Sequence, residues 1–542
     1  ADLWLLATDG SAQRRLTTHA ANDAAPQWSP DGKHIAFLSR REGDEQTQIY
    51  LISPEAGEAR RLTRIPTGAS AIKWFPDSTR IAFVSSVWPD AQTDEELARR
   101  LRQQRDAKVK ALATELTMFR YWDRWIADGR VPHLFAVDIA TGMHSNLFAG
   151  TPLKLSVTDV SADDYDIAPD GAEVAFATDL SSDPGFDPNS DIVTLRLESR
   201  QWQNITSDNR AGDSSPRYSP DGRWIAYGRQ SIYGFGSDRA RIALYERATG
   251  GKRVLTEGWD RSADSVEWTP DSQALYFTAE DRARVVIFRL PVSGGEPKPL
   301  VETGTNSGLT LSADGRTLAF VHTNMADPPA VFAAAADGSR VRKIESFNDK
   351  LAASWQLGEV KEVYFKGWND QPVHMWVIFP PDFDPAKKWP LLQVVHGGPH
   401  GAWLDQFHFR WNLHLFASRG YVVAAVNFHG STGWGNAFTD AITGAFGAKD
   451  FVDVERATDY LLAAGYIDPE RLAAAGGSYG GFAVAFMNGK TNRYKAYVCH
   501  AGVYDYSFQQ VASDSVRGRQ RALGGWFWEN PDIEKQSARA LT

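Results

Sequence analysis

Through the first 345 residues, short apolar runs alternate with polar positions and are broken at regular intervals by one kind of turn. Trp28-Ser29-Pro30-Asp31-Gly32 precedes Ile35-Ala36-Phe37, and the pattern returns at Trp74 to Ser78 and at Ile167 to Gly171. Further copies stand at Tyr218 to Gly222, Trp268 to Ser272 and Leu311 to Gly315. Proline presets φ and glycine supplies φ > 0, so each copy predicts a β-hairpin. Asp31 and Asp77 are 46 residues apart, Asp170 and Asp221 51, Asp221 and Asp271 50, and Asp271 and Asp314 43. Between consecutive copies lies a second hairpin, as in Gln48 to Leu51 and, past a Gly57 turn, Arg60 to Thr63. A period of this size denotes four-stranded propeller blades. Seven second hairpins against six turn copies predict a seven-bladed β-propeller over 1–345, with the first blade already under way at residue 1.

The interval from Asp77 to Asp170 is longer, at 93 residues, and holds a helical insertion over about 93–119. Thr93 and Glu96 form a capping box there, and Leu97, Leu101, Val109, Leu112 and Leu116 share a partly amphipathic face. Glu95, Glu96 and Glu115 would suit the reading of a peptide amino terminus, but a solvated helix face is the simpler expectation for such a charge run.

After Glu345 the pattern changes. Val360 to Lys366 and Val373 to Phe379 read as strands, and Pro390 to Val395 is a near-continuous apolar run, as in a strand buried on both faces. Tyr421 to Val426 repeats that character, and Val452 to Ala464 reads as a helix with Val454, Ala457, Tyr460 and Leu461 on one face. Alternating strands and helices predict a mostly parallel sheet covered on both sides, an α/β domain over 346–542.

Candidate chemistry concentrates in this half. Gly476-Gly477-Ser478-Tyr479-Gly480-Gly481 lies between the apolar run Leu472 to Ala475 and a helix that can start at Phe482. That is G-x-S-x-G in a strand–turn–helix setting, the nucleophile elbow of an α/β-hydrolase, with Ser478 as nucleophile. Acyl transfer also needs N–H donors for the developing oxyanion. The backbone of Tyr479 and of Gly398, in the turn His396-Gly397-Gly398-Pro399, is the expected pair. In this fold the acid and then the histidine follow the serine. After Ser478 the only histidine is His500, with no carboxylate between, so the catalytic Asp and His are expected beyond Thr542 and the hydrolase domain is expected to lack its C-terminal part. Val503, Tyr504, Trp526 and Phe527 are candidates for an apolar substrate pocket, with core packing as the equal alternative.

Composition adds exclusions. A net charge of -9 argues against nucleic acid or an anionic membrane as partner, and no apolar run reaches the ~20 residues that span a bilayer. Cys499 is the only cysteine, which rules out an intrachain disulfide. No His or Cys pair has metal-ligand spacing and no glycine-rich phosphate loop follows a strand, so neither metal nor cofactor is expected. Periplasm is the expected compartment, with cytoplasm as the alternative.

Taken with Leu391 to Trp403, Gly430-Ser431-Thr432-Gly433-Trp434-Gly435, Trp122 to Trp125 and Trp528-Glu529-Asn530-Pro531, the elbow resembles the prolyl oligopeptidase family of serine peptidases. The resemblance runs essentially the length of the chain and is greatest to the acylaminoacyl-peptidase and dipeptidyl-peptidase V-like branch. It implies hydrolysis of short peptides beneath a propeller lid, removal of dipeptides from a free amino terminus, and a homodimer as a conceivable assembly. Acylaminoacyl-peptidase and carboxylesterase are the alternative activities, and a catalytically dead interaction protein the alternative of another class. Two positions depart from the family: His429 stands where arginine is usual, and Phe482 where tyrosine is common.

Overall fold

A computed structural model describes residues 1–538 apart from Ala56, Pro184 and Ser515, and divides them into two compact units. The first comprises Ala1–Tyr233, Arg241–Leu255 and Trp268–Ala274. Its strands form four antiparallel four-stranded sheets, over 23–61, 70–146, 165–204 and 213–254, preceded by the hairpin of Trp4–Leu6 with Gln13–Arg15. These are the predicted blades. Each turn copy works through its aspartate: Ser29 Oγ donates to Asp31 Oδ1 at 2.6 Å, and Lys33 N–H to the same oxygen at 3.1 Å. Ser219 and Asp221 repeat the arrangement, as does Thr269 with Asp271. The side chain thus closes the turn that proline and glycine have shaped.

A second recurring device was not visible in the sequence. The first strand of three of these blades slips register by one residue against its neighbour, between Ala24 and Gln27, Ser70 and Lys73, and Ser214 and Arg217. Each slip is a β-bulge with one residue in the left-handed region: Ala25, Ala71 or Ser215 at φ near 50°.

The insertion is a shorter helix than expected. Helix α1 (Asp94–Asp106) begins as predicted, with Thr93 Oγ1 accepting from Glu96 N–H and Glu96 Oε2 accepting from Gln92 N–H. It stops at Ala107, whose ψ of 132° is extended, and Val109, Leu112 and Leu116 lie beyond it, exposed. Of the apolar positions predicted on its face, Leu97 is the buried one. Helices hold in water largely by packing an apolar face, and past Asp106 no such packing continues.

The second unit comprises Gly234–Ala240, Thr256–Glu267 and Leu275–Thr542. It holds most of a further four-stranded blade over 263–301, all but Trp268–Ala274, and the whole of another over 305–343, joined by a parallel pairing of Val285 with Thr305. The blade over 305–343 has the same bulge, between Ser307 and Thr310 with Gly308 at φ 59°, and Ser265 marks the equivalent point of the other at φ 51°.

In the rest of this unit a six-stranded sheet forms from β1 (Val360–Lys366), β2 (Pro372–Ile378), β3 (Trp389–Val395), β4 (Val422–Asn427), β5 (Ile467–Gly477) and β6 (Ala496–His500). Their order is β1-β2-β4-β3-β5-β6: β1, β2 and β4 pair antiparallel, and β4, β3, β5 and β6 run parallel. Helix α2 (Lys449–Ala463) starts three residues earlier than predicted and turns Val454, Ala457 and Leu461 into the core as the periodicity predicted, whereas Tyr460, expected on the same face, is exposed. Helix α3 (Tyr479–Lys490) follows β5 and is apolar nearly all round, with Phe482, Val484, Phe486 and Met487 buried. β3 and β5, central and adjacent, bring their C-terminal ends together, and both motifs sit there.

Candidate active site

Ser478 lies at the junction of β5 and α3 with φ 58° and ψ -119°, a conformation that disfavours any residue with a Cβ. It is exposed, whereas Gly476 and Tyr479 on either side are buried. Two bonds fix the turn: Ser478 N–H donates to His500 O at 2.9 Å, and Phe482 N–H to Ser478 O at 3.0 Å. The glycines are there for clearance. A Cβ on Gly476 would stand 2.2 Å from Gly480 O, and one on Gly480 2.1 Å from Val395 O. Backbone from β3 and α3 therefore occupies the space that side chains would need. Helix α3 starts at Tyr479, three residues earlier than predicted, so the Tyr479 N–H is one of the N-terminal donors left without an intrahelical acceptor.

The His396-Gly397-Gly398-Pro399 turn, at the end of β3, meets this elbow. A Cβ on Gly397 would lie 3.2 Å from Ser478 Cβ and 3.0 Å from Gly477 O, so the turn passes directly beside the serine. Gly398 is exposed and has φ 125°. Ser478, Tyr479 and the Gly397–Gly398 turn are thus gathered at one spot.

The histidines are placed differently. His396 is buried, stacked on Phe428 with ring centroids 4.2 Å apart, and burial pushes it down to about 4. Its Nδ1 is 2.8 Å from Gly397 O and its Nε2 2.9 Å from Ser431 Oγ. His500 is committed as well: Arg410 Nη2 donates to its Nε2 at 2.8 Å, and only its backbone oxygen serves the elbow. His429, at the position where the family usually has arginine, makes a buried contact of 2.7 Å with Asp453 through Nδ1, and its own N–H donates to the same carboxylate. The local polar contacts are therefore rebuilt around an imidazole.

One functional neighbour escaped the motifs. Tyr479, whose backbone follows the nucleophile, donates its hydroxyl to Asp450 Oδ2 at 2.7 Å, and both are buried. Burial pushes Asp450 up to about 6, against the Tyr479 hydrogen bond. No sequence signal marks this pair, because Asp450 opens α2 and lies 29 residues from its partner.

Of the four pocket candidates, Val503 packs against the hydrolase core and Trp526 is buried with its ring stacked on Trp528 at 4.9 Å. Tyr504 and Phe527 are partly exposed, and Phe527 N–H donates to Gln510 Oε1 at 2.8 Å. Among the described residues no group of three or more His, Cys, Asp or Glu is arranged to hold a metal ion.

A serine raised on a strained strand–helix turn, beside a glycine turn from the adjacent parallel strand, defines an α/β-hydrolase. Comparison with known proteins carries this further. Residues 407–539 match the prolyl oligopeptidase family, and residues 1–109 the N-terminal β-propeller domain of tricorn protease. The chain is 28% identical over 556 residues to dipeptidyl-peptidase 5 of Porphyromonas gingivalis, covering 100% of itself and 78% of that protein. It is 32% identical over 449 residues to dipeptidyl-peptidase 5 of Aspergillus fumigatus, covering 76% of itself and 61% of the relative. Among solved structures, acylaminoacyl peptidase of Pyrococcus horikoshii shares the fold with a TM-score of 0.78 at 18% identity, over 98% of this chain and 78% of the other. Dipeptidyl peptidase 4 of Porphyromonas gingivalis does so at 0.60 and 20%, over 97% and 74%. The chain belongs to the prolyl oligopeptidase family of serine peptidases, with an N-terminal β-propeller and a C-terminal α/β-hydrolase.

Proposed function

We propose that this protein hydrolyses short peptides through an acyl-enzyme on Ser478 and releases dipeptides from a free amino terminus. The observation that carries the proposal is the exposed Ser478 at φ 58°, flanked by the Gly397–Gly398 turn and the first N–H of α3. Ser478 Oγ attacks the scissile carbonyl, and the N–H groups of Tyr479 and Gly398 receive the oxyanion. His396 and His500 are occupied by other partners. Neither is therefore assigned as the group that takes the serine proton; that role is proposed for a histidine oriented by an Asp, in the order usual for this fold. Dipeptide release rests on the names of the two dipeptidyl-peptidase 5 relatives. Val503, Tyr504, Trp526 and Phe527 are the proposed walls of an apolar pocket.

The protein is proposed to work without metal, nucleic acid or membrane, as a monomer or homodimer, and in the periplasm. Among the described residues no helix is long and apolar enough to cross a membrane.

The test is labelling of the full-length protein by a fluorophosphonate, with the modified residue mapped by mass spectrometry. Label on Ser478 is the expected result, and a folded, unlabelled protein would sink the proposal in favour of a non-catalytic interaction protein. Parallel assays on a dipeptidyl amide, an acetyl-aminoacyl amide and a short ester then separate dipeptidyl-peptidase from acylaminoacyl-peptidase and carboxylesterase.

A further inference from the structure

The oxyanion turn is held from behind by a buried chain of polar contacts. Gly397 O can only accept, so the 2.8 Å contact from His396 places a proton on Nδ1. Burial pushes the imidazole down to about 4, so at neutral pH the ring carries a single proton and Nε2 has a lone pair. Ser431 Oγ, 2.9 Å away and fully buried, must therefore donate to Nε2. Ser431 itself is fixed: its N–H donates to Phe428 O at 2.9 Å, and its own carbonyl accepts from Thr439 Oγ1 at 3.1 Å. The loop continuing from it is anchored to the neighbouring blade, where Arg282 N–H donates to Gly433 O at 3.1 Å and Asn436 N–H to Asp260 Oδ1 at 3.0 Å.

The consequence lies in the Gly397–Gly398 peptide. In a trans peptide the C=O and N–H point in opposite directions. With its C=O drawn toward His396, the peptide turns the Gly398 N–H away from the imidazole. We infer that Ser431 is a positioning residue: by donating to the Nε2 lone pair that the Nδ1–H tautomer leaves buried, it anchors the far side of the His396 ring, and so aims the Gly398 N–H at the oxyanion formed on Ser478. This inference rests on the proposed acyl-enzyme reading. It gives His396 a task distinct from general base and gives a purpose to the Gly430-Ser431-Thr432-Gly433 string.

If Ser431 lacked its hydroxyl, the buried Nε2 lone pair would lose this partner and the ring would be held only through Nδ1. The imidazole would then be free to shift, and the Gly397–Gly398 peptide bonded to Nδ1 would shift with it. An asparagine in place of His396 can offer an N–H to Gly397 O but has no Nε2 for Ser431 to hold. The experiment is a double-mutant cycle in the full-length protein, reading kcat and KM for peptide hydrolysis and the rate of fluorophosphonate labelling. Ser431→Ala is expected to lower kcat and labelling about 10- to 100-fold with KM within about twofold, as loss of aim at a transition-state donor requires. His396→Asn is expected to cost several-fold by itself and to make Ser431→Ala nearly silent when the two are combined. An equal loss from Ser431→Ala in both backgrounds, or an effect within about twofold in the wild-type background, overturns the inference while Ser478 labelling still stands. Wild-type protein that takes no label overturns the acyl-enzyme reading itself, and this inference with it. Nitrogen NMR of the wild-type histidines needs no variant to fold: Nδ1–H on His396 is expected, and Nε2–H would refute the arrangement.

Discussion

Asp450 offers a quantitative test because its carboxylate is buried with one strong partner. Asp450→Asn keeps the shape and the acceptor for the Tyr479 hydroxyl while removing the charge. In the folded protein burial raises this carboxyl from 3.8 to about 6, with the Tyr479 hydroxyl and the backbone N–H groups of Asp450 and Phe451 opposing it and Asp453, one helical turn away, adding repulsion. The folded state thus holds the proton more tightly than the unfolded chain. The contribution to stability is full below about pH 4, falls as pH rises from 3.8 to about 6, and is flat above that. About two pKa units correspond to about 3 kcal/mol lost on ionisation by pH 8, of which somewhat over half is already lost at pH 5. Asp450→Asn, which resembles the protonated carboxyl at every pH, is therefore expected to be more stable than wild type by about 3 kcal/mol at pH 8, with the advantage somewhat over 1 kcal/mol smaller at pH 5. Urea unfolding of both proteins at the two pH values measures this, and the difference between them cancels every other titrating group. An advantage that does not change with pH, or a variant less stable at pH 8 than at pH 5 relative to wild type, would refute the reasoning.

Three other substitutions test the site. Gly480→Ala, within helix α3, would ordinarily stabilise by about 1 kcal/mol. Here its Cβ meets Val395 O at 2.1 Å, and a loss of about 3 kcal/mol or more, read as a lowered Tm, is expected. Ser478→Gly relieves the strain at φ 58°, so it should be about 1 kcal/mol more stable than Ser478→Ala in urea, although both abolish labelling. Thr93→Ala removes the cap of α1 and should speed amide hydrogen exchange over 94–106 by about 1 kcal/mol, while fluorophosphonate labelling of Ser478 stays at the wild-type rate.

What the sequence made legible followed from local chemistry. Blades were readable because Pro-Asp-Gly turns impose their own geometry and recur at blade-sized intervals, and β3 and β4 because their apolar runs have sharp ends. The elbow was readable since its glycines answer a steric demand that each motif carries within six residues. Less local features were hidden. The end of α1 at Asp106 depends on what the face carrying Leu112 and Leu116 packs against, and periodicity does not report that. Likewise the pairing of Asp450 with Tyr479, and of Ser431 with His396, joins residues that only the stacking of α2, β3 and β4 around β5 brings together. His429 could be noted as unusual, but its engagement with Asp453 required the fold.

The β-bulges give the repeat a second landmark. In every bulged blade the residue two before the left-handed position is buried: Asp23, Ala69, Asp213 and, in the second unit, Ala263 and Asn306. Strand alternation read backward from Ile72 would bury Ser70, which is instead exposed, so the phase of the strand reverses at the kink. Each of these buried positions lies eight residues ahead of its motif aspartate, at 31, 77, 221, 271 and 314. The blade over 165–204 breaks the rule, since its eighth position, Ala162, begins a short 3-10 turn. Blades can accordingly be aligned by a two-point ruler, turn and kink. Where the second mark is acidic, the kink drives a carboxylate inward, and burial raises Asp213 to about 7. A backbone irregularity shared by several blades thus becomes, in this one, a group poised to exchange its proton near neutral pH.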